Sequence, residues 1–232
     1  MPEEEIKDEN MTVASLKKKR ELSLPVAIVV AGALIAIALM VRVAPRSEAE
    51  GESGRLDLIP DISSEDFIRG NKDAPVTVIE YADYKCPACA AYQSILKDLV
   101  DESNGQIRWV YRDFPIFSEE ASVASRCVGK LGGEEAFWQY SDSLFGNQKL
   151  ITTEFLKEKA LSFVVDETAY DSCVTDPVVQ NIVHKSYNQL KYLLGFSHTP
   201  TSVIIDKNGR KYSFTGALYK ETLLDIIETL DK

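Results

Sequence analysis

Histidine and methionine are scarce in this 232-residue chain, with two of the first and three of the second. His184 and His198 leave little material for a histidine-based metal site. Met1, Met11 and Met40 all precede the part of the chain with folded character. That counts against a copper carrier, which wants a soft ligand beside a cysteine pair. Positive charge is also in deficit: the formal net charge of −10 argues against a nucleic-acid binder held by phosphate neutralisation. The acidity fits solubility rather than a particular partner. Internal repeats and long low-complexity tracts are missing, so nothing points to a solenoid or a disordered array.

Cysteine is used four times, unevenly. Cys86 and Cys89 form a C-x-x-C, whereas Cys127 and Cys173 stand 46 residues apart. One tight pair and one distant pair suit a redox dithiol plus a structural disulfide, an arrangement that needs an oxidising compartment. Closing a loop of this length would stabilise the fold by about 4 kcal/mol on a chain-entropy estimate. Two buried free thiols are the plainer alternative for Cys127 and Cys173.

A route to such a compartment lies near the N-terminus. Leu24 to Val41 is a run of 18 uncharged, almost wholly apolar residues, preceded by Lys17-Lys18-Lys19-Arg20. In a helix the run nearly spans a hydrocarbon core of about 30 Å. The cation block favours retention on the cytoplasmic side. A cleaved signal peptide is the rival, but its apolar core is shorter, about 7–15 residues, and Pro45 directly after Ala44 hinders cleavage. We therefore expect a cytoplasmic tail over 1–22, a single transmembrane anchor over 23–43, a Ser/Glu/Gly-rich linker over 44–56 and an extracytoplasmic domain over 57–232.

Within that domain, Ser63 or Ser64 is placed to cap a short helix through Phe67 and Ile68. Val76 to Tyr81 reads as a strand covered on both faces, and Tyr92, Ile95, Leu96, Leu99 and Val100 repeat at helical spacing. Ile107 to Tyr111 is a second strand. Helical patterns then fill about 118–195: Ala121 to Leu131, Glu134 to Phe145, Thr153 to Phe163, Glu167 to Cys173 and Pro177 to Leu194. Thr201 to Asp206 and Lys211 to Thr215 flank the turn dipeptide Asn208-Gly209, and Lys220 to Leu230 is a closing amphipathic helix. The order β-α-β, helices, β-β-α is an α/β thioredoxin-like fold with a helical insertion domain, preceded by one transmembrane helix.

The C-x-x-C sits between a strand and a helix. Cys86 takes the helix N-terminus and Pro87 the first helical position, where proline forfeits no hydrogen bond. Unpaired N–H groups of the first turn and the helix dipole then stabilise a Cys86 thiolate, to which Lys85 adds charge. Such cysteines have pKa values of roughly 3.5–7.5. Glu80, six residues earlier inside the apolar strand, should be desolvated and so raised in pKa. It can then take the proton from Cys89 as that thiol resolves a mixed disulfide. A Glu at a strand end facing water, half of a zinc site, and an inert C-x-x-C disulfide are the competing readings of these residues.

"DAPVTVIEYADYKCPAC", Asp73 to Cys89, resembles the opening of the DsbA family of thiol–disulfide oxidoreductases. "HTPTSVIIDKNG", His198 to Gly209, is similar to that family's loop, strand and hairpin around its cis-proline, and "FWQYSDSLF", Phe137 to Phe145, to a helix of its inserted domain. The resemblance runs over roughly Asp57 to Lys232. It implies Cys86 as nucleophile, Cys89 as resolving cysteine, Glu80 as buried acid, Pro200 as the cis-proline, and Thr199 offering its backbone to a peptide beside Cys86. It implies no organic cofactor and no metal. The clients would be exported cysteine-containing proteins, and the electron acceptor a membrane quinone-linked thiol oxidase. Ala88 departs from the pattern: the best-known strongly oxidising members carry a histidine there, which bears on how strong an oxidant this chain is. Reductase or isomerase activity is the nearest alternative, and a membrane-tethered copper chaperone a more distant one.

Overall fold

Val76–Ala82 (β2) alternates side chains between two apolar environments, and all seven of its residues are buried. In this computed structural model, which describes residues 55–164 and 166–230, β2 is the middle of a five-stranded sheet. Val76, Val78 and Ala82 face one core with Tyr92, Leu96 and Trp109. Ile79 and Tyr81 face the other, with Val110, Phe114, Leu190 and Val203. The period of two in a strand makes this division. Leu56 and Ile59, ahead of the first strand, are buried in the second core.

With Phe67–Gly70 as β1, Ile107–Asp113 as β3, Thr201–Ile205 as β4 and Lys211–Thr215 as β5, the sheet order is β1-β3-β2-β4-β5. β3 (Ile107–Asp113) runs parallel to β2, and β4 (Thr201–Ile205) pairs antiparallel on the other side. β5 (Lys211–Thr215) returns antiparallel to β4 through a turn in which Asp206 O accepts from Gly209 N at 2.9 Å. α1 (Pro87–Glu102) follows β2 and buries Cys89, Tyr92, Gln93, Leu96, Leu99 and Val100 on one side. The chain leaves it through Asn104 and Gly105, both at positive φ. α6 (Lys220–Leu230) closes the chain against α1.

Between β3 and β4 lies the helical insertion: α2 (Glu119–Gly146), a 3-10 turn (Gln148–Leu150), α3 (Thr153–Ala160), α4 (Glu167–Val174) and α5 (Pro177–Asn188). The two helices expected over 121–131 and 134–145 are one element broken at Gly133, whose φ of 89° disfavours any residue with a Cβ. The helix expected over Pro177 to Leu194 ends at Asn188 and continues as a single wider π turn over Gln189–Leu194. Glu119 and Glu120 in the first turn of α2, and the Asp166 and Asp176 caps of α4 and α5, complement the helix dipoles.

One expected element is corrected. Phe67–Gly70 is not the end of a short helix but β1, an edge strand antiparallel to β3. Ser63 Oγ does accept from Glu65 N, yet only a turn forms. A helix this short is unstable without packing, and the packing here favours extension. Phe67 stacks on Phe137 with ring centroids 3.6 Å apart. Gly129 makes room: a Cβ there would fall 2.3 Å from the Phe67 ring. Arg112 holds the preceding Asp66 through two nitrogens at 2.7 and 2.9 Å.

The expected anchor over 23–43 lies outside the described residues, as do the tail and the linker up to residue 54. Among the described residues no helix is long and apolar enough to cross a membrane.

Cys127 in α2 and Cys173 in α4 form a disulfide, their Cα atoms 5.7 Å apart. The 46-residue separation sets its contribution through the entropy of the unfolded chain. Replacing both cysteines with alanine should lower unfolding free energy by up to about 4 kcal/mol. Denaturant titration measures this, and an unchanged midpoint would mean that the unfolded chain gains nothing from the cross-link.

Candidate active site

The turn from β2 into α1 is clamped from three directions. Asp83, fully buried, accepts from Lys85 N at 2.7 Å through Oδ1, and from Phe117 N at 2.6 Å and Ser118 N at 3.1 Å through Oδ2. Its carbonyl accepts from Cys86 N at 3.0 Å. Gln148 reaches in from the insertion, its Nε2 donating at 2.8 Å to both Tyr84 O and Cys86 O. The Tyr84 hydroxyl pairs with Ser141 Oγ of α2 at 2.8 Å. The loop carrying Cys86 is therefore fixed to the start of α2, to Ser141 within α2 and to the 3-10 turn that follows α2.

Cys86 is the N-cap of α1, with Pro87 at its first position and no side-chain cap. Both thiols are free; Cys86 is 5% exposed and Cys89 fully buried. The Thr199–Pro200 peptide is cis. Cys86 Sγ donates to Thr199 O at 3.3 Å, and Pro200 O accepts from Gly216 N at 2.8 Å. Cys86, Cys89, Glu80, Thr199 and Pro200 thus meet at one place although they come from β2, α1 and the segment before β4.

The electrostatics split the two thiols. The Cys86 thiol is lowered to about 5, first by the Cys89 thiol donating to its thiolate, against the opposing cost of burial. The Thr199 hydroxyl and the N–H groups of Cys89 and Ala88 lower it further. The helix-terminus N–H groups expected to make the thiolate are present, but the neighbouring thiol is the larger cause. Lys85, expected to add charge, is exposed to solvent. Cys89 is pushed far above its ordinary value, by burial and then by the adjacent Cys86 and Glu80.

Glu80, also fully buried, sits on the same face of the sheet as the dithiol. Its Oε2 accepts from Gln93 Nε2 at 2.8 Å. Burial raises its carboxyl to about 8, while Gln93 and Trp109 favour the charged form and Cys86 disfavours it. At neutral pH this group holds a proton, and it is close enough to Cys89 to act on that thiol electrostatically.

Asp83, Gln93, Trp109 and Gln148 were not among the residues expected at the site. Gln93 could have been found: it lies one helical turn beyond Cys89, a polar residue in a buried stripe. Gln148 carries no local signal, since its partner Cys86 is 62 residues away. The His198 ring is exposed and pairs with Ser197 Oγ. His184 binds Glu119 at 2.7 Å on the surface.

The Thioredoxin family model matches residues 63–229. A probable disulfide bond formation protein D of Bacillus cereus is 32% identical over 104 residues, covering 42% of this chain and 48% of that protein. A Na(+)/H(+) antiporter NhaA 1 of Salinispora arenicola is 35% identical over 98 residues, 41% of this chain but only 15% of the antiporter. The chain therefore spans a minor part of the antiporter and about half of the Bacillus protein. Among solved structures, Pseudomonas aeruginosa DsbA2 superposes with a TM-score of 0.60 at 25% identity, over 74% of this chain and 97% of that one. The chain belongs to the thioredoxin family, as a DsbA-like member of that superfamily.

Proposed function

We propose that this chain is an extracytoplasmic thiol–disulfide oxidoreductase, anchored in the cell membrane through residues 23–43, that oxidises cysteine pairs in exported proteins. The carrying observation is the junction itself: Cys86 with a thiol lowered to about 5, above a buried Cys89 and Glu80, beside the carbonyl of Thr199.

In the oxidised enzyme a client thiolate attacks Cys86 Sγ. The Cys86–Cys89 bond breaks, and Cys89 leaves with the electron pair. Neutral Glu80 supplies the proton that the buried Cys89 needs. A second client thiolate attacks the client sulfur of the mixed disulfide, and Cys86 leaves as a thiolate. The client loses two electrons and the dithiol gains them. A membrane quinone-linked thiol oxidase would take them on.

The low pKa of Cys86 favours this direction, because it makes Cys86 a good leaving group and stabilises the reduced enzyme. Ala88 does not undo it, since Cys89, Thr199 and two backbone N–H groups supply the stabilisation. Thr199 beside a cis Pro200 suits a client lying extended across the dithiol. Phe117, 63% exposed, belongs to the loop bound by Asp83, and Leu150, 55% exposed, follows Gln148. Apolar groups there suit partly unfolded clients.

Alkylation of the reduced protein should show Cys86 reacting with a midpoint near pH 5. Because its folded value lies below the unfolded one, the thiolate's contribution to the reduced fold is complete above about 8.5. It is lost as pH falls toward about 5. A midpoint near that of a free thiol would contradict the geometry.

A reduced, denatured client with paired cysteines should gain its disulfide in the presence of catalytic chain and an oxidant. Cys86→Ser should abolish this. Cys89→Ala should accumulate a mixed disulfide at Cys86, seen by mass spectrometry without reduction. Metal retained at the dithiol, with no client oxidation, would point to the carrier alternative instead.

A further inference from the structure

Glu80 and Gln93 are joined by one hydrogen bond, Nε2 to Oε2 at 2.8 Å, inside a core that admits no bulk water. The other oxygen of each, Glu80 Oε1 and Gln93 Oε1, is also buried and has no hydrogen-bond partner. Two partnerless acceptors on a bonded pair are costly, because neither can be solvated. A single proton on Glu80 Oε1 removes both defects, for it can donate to Gln93 Oε1. The result is a carboxylic acid and a primary amide joined by two hydrogen bonds. With the proton gone, the amide N–H still serves the carboxylate. Trp109 Nε1, buried and likewise without a partner, stands by the same group as a second donor to the charged form.

We infer that Gln93 is a positioning residue that holds Glu80 in both of its protonation states, so that the proton of Cys89 can be taken and returned without solvent. The inference rests on the proposed role of Glu80. Gln93 and Cys89 are one turn apart on α1, so the helix that brings the thiol to the carboxyl also brings its holder. In the resolving step, Cys89 gives its proton to Glu80 Oε1 and attacks Cys86 Sγ, and the client thiolate leaves. In the opposite step the proton returns. Glu80 and Gln93 undergo no net change. The titratable groups that bear on Glu80 are Cys86, Cys89 and Tyr92 from α1 and Tyr111 from β3, and none is a cation. From β4, Ser202 donates to Tyr92 rather than to the carboxyl.

The test uses a glutathione mixed disulfide formed on Cys86 of the full chain, with its resolution by Cys89 followed against pH. Wild-type protein should speed up through a midpoint near 8 as Glu80 becomes charged. Gln93→Met fills similar space without the amide. It takes away the amide that on balance favours the charged form, and a buried carboxylate left without its donor costs more than a neutral acid left without its partner. The midpoint should therefore move up by about one unit, with resolution about tenfold slower at neutral pH. In a Glu80→Gln background the same substitution should change the rate by less than about twofold, since the two effects are not independent. A Gln93→Met protein with an unmoved midpoint, where Glu80→Gln alone slows resolution, overturns this inference and leaves the role of Glu80 standing. An unslowed Glu80→Gln enzyme overturns the role of Glu80 itself. Should the variants fail to fold, infrared difference spectra of wild-type protein carrying isotope-labelled glutamine decide: a side-chain amide band must shift with the same midpoint as the carboxylic acid, and a band that stays still overturns the inference.

Discussion

Burial of Glu80 is the constraint from which the site follows. A seven-residue strand with no exposed position carries this one carboxyl group into a core lined by Val78, Ala82, Tyr92 and Trp109. Water cannot reach it, so the group keeps its proton far above the usual carboxylate range. The same strand ends in the turn that places Cys86 at the head of α1, and α1 in turn lowers Cys89 toward the carboxyl. Moving β2 by one residue would put Glu80 on the opposite face, away from the dithiol.

The two sulfurs are then driven apart chemically although they are covalently close. Cys86 meets donors from Cys89, Thr199 and the helix terminus, while Cys89 meets an apolar core and the neighbouring Cys86 thiolate. In the proposed reaction that asymmetry suits Cys86 to attack and departure and Cys89 to the internal exchange. It depends on a loop held from outside: Asp83 ties it to the start of α2, and Gln148 ties it to the 3-10 turn that follows α2. The insertion is thus more than an appendage to the sheet, and its own disulfide stiffens the two helices that frame it.

Much of this was legible in the sequence because it is written locally. The unbroken apolar run of β2, the proline after Cys86 and the Asn208-Gly209 turn each act over a few residues. The cis bond at Pro200 came through resemblance to a family, not from periodicity. What escaped was set by distant contacts. β1 is a strand because Phe67 stacks on Phe137, 70 positions further along the chain. Gln148 and Asp83 act on backbone atoms of other segments, which no spacing rule reveals.

Whether this chemistry runs toward oxidation turns on the relative stability of dithiol and disulfide. Equilibration of the full chain with glutathione buffers of graded composition gives that directly as a reduction potential. A thiolate as strongly stabilised as that of Cys86 predicts a value closer to about −120 mV, where strong oxidants of this superfamily lie, than to about −270 mV. A potential at or below about −270 mV would contradict the account and make the chain a reductant.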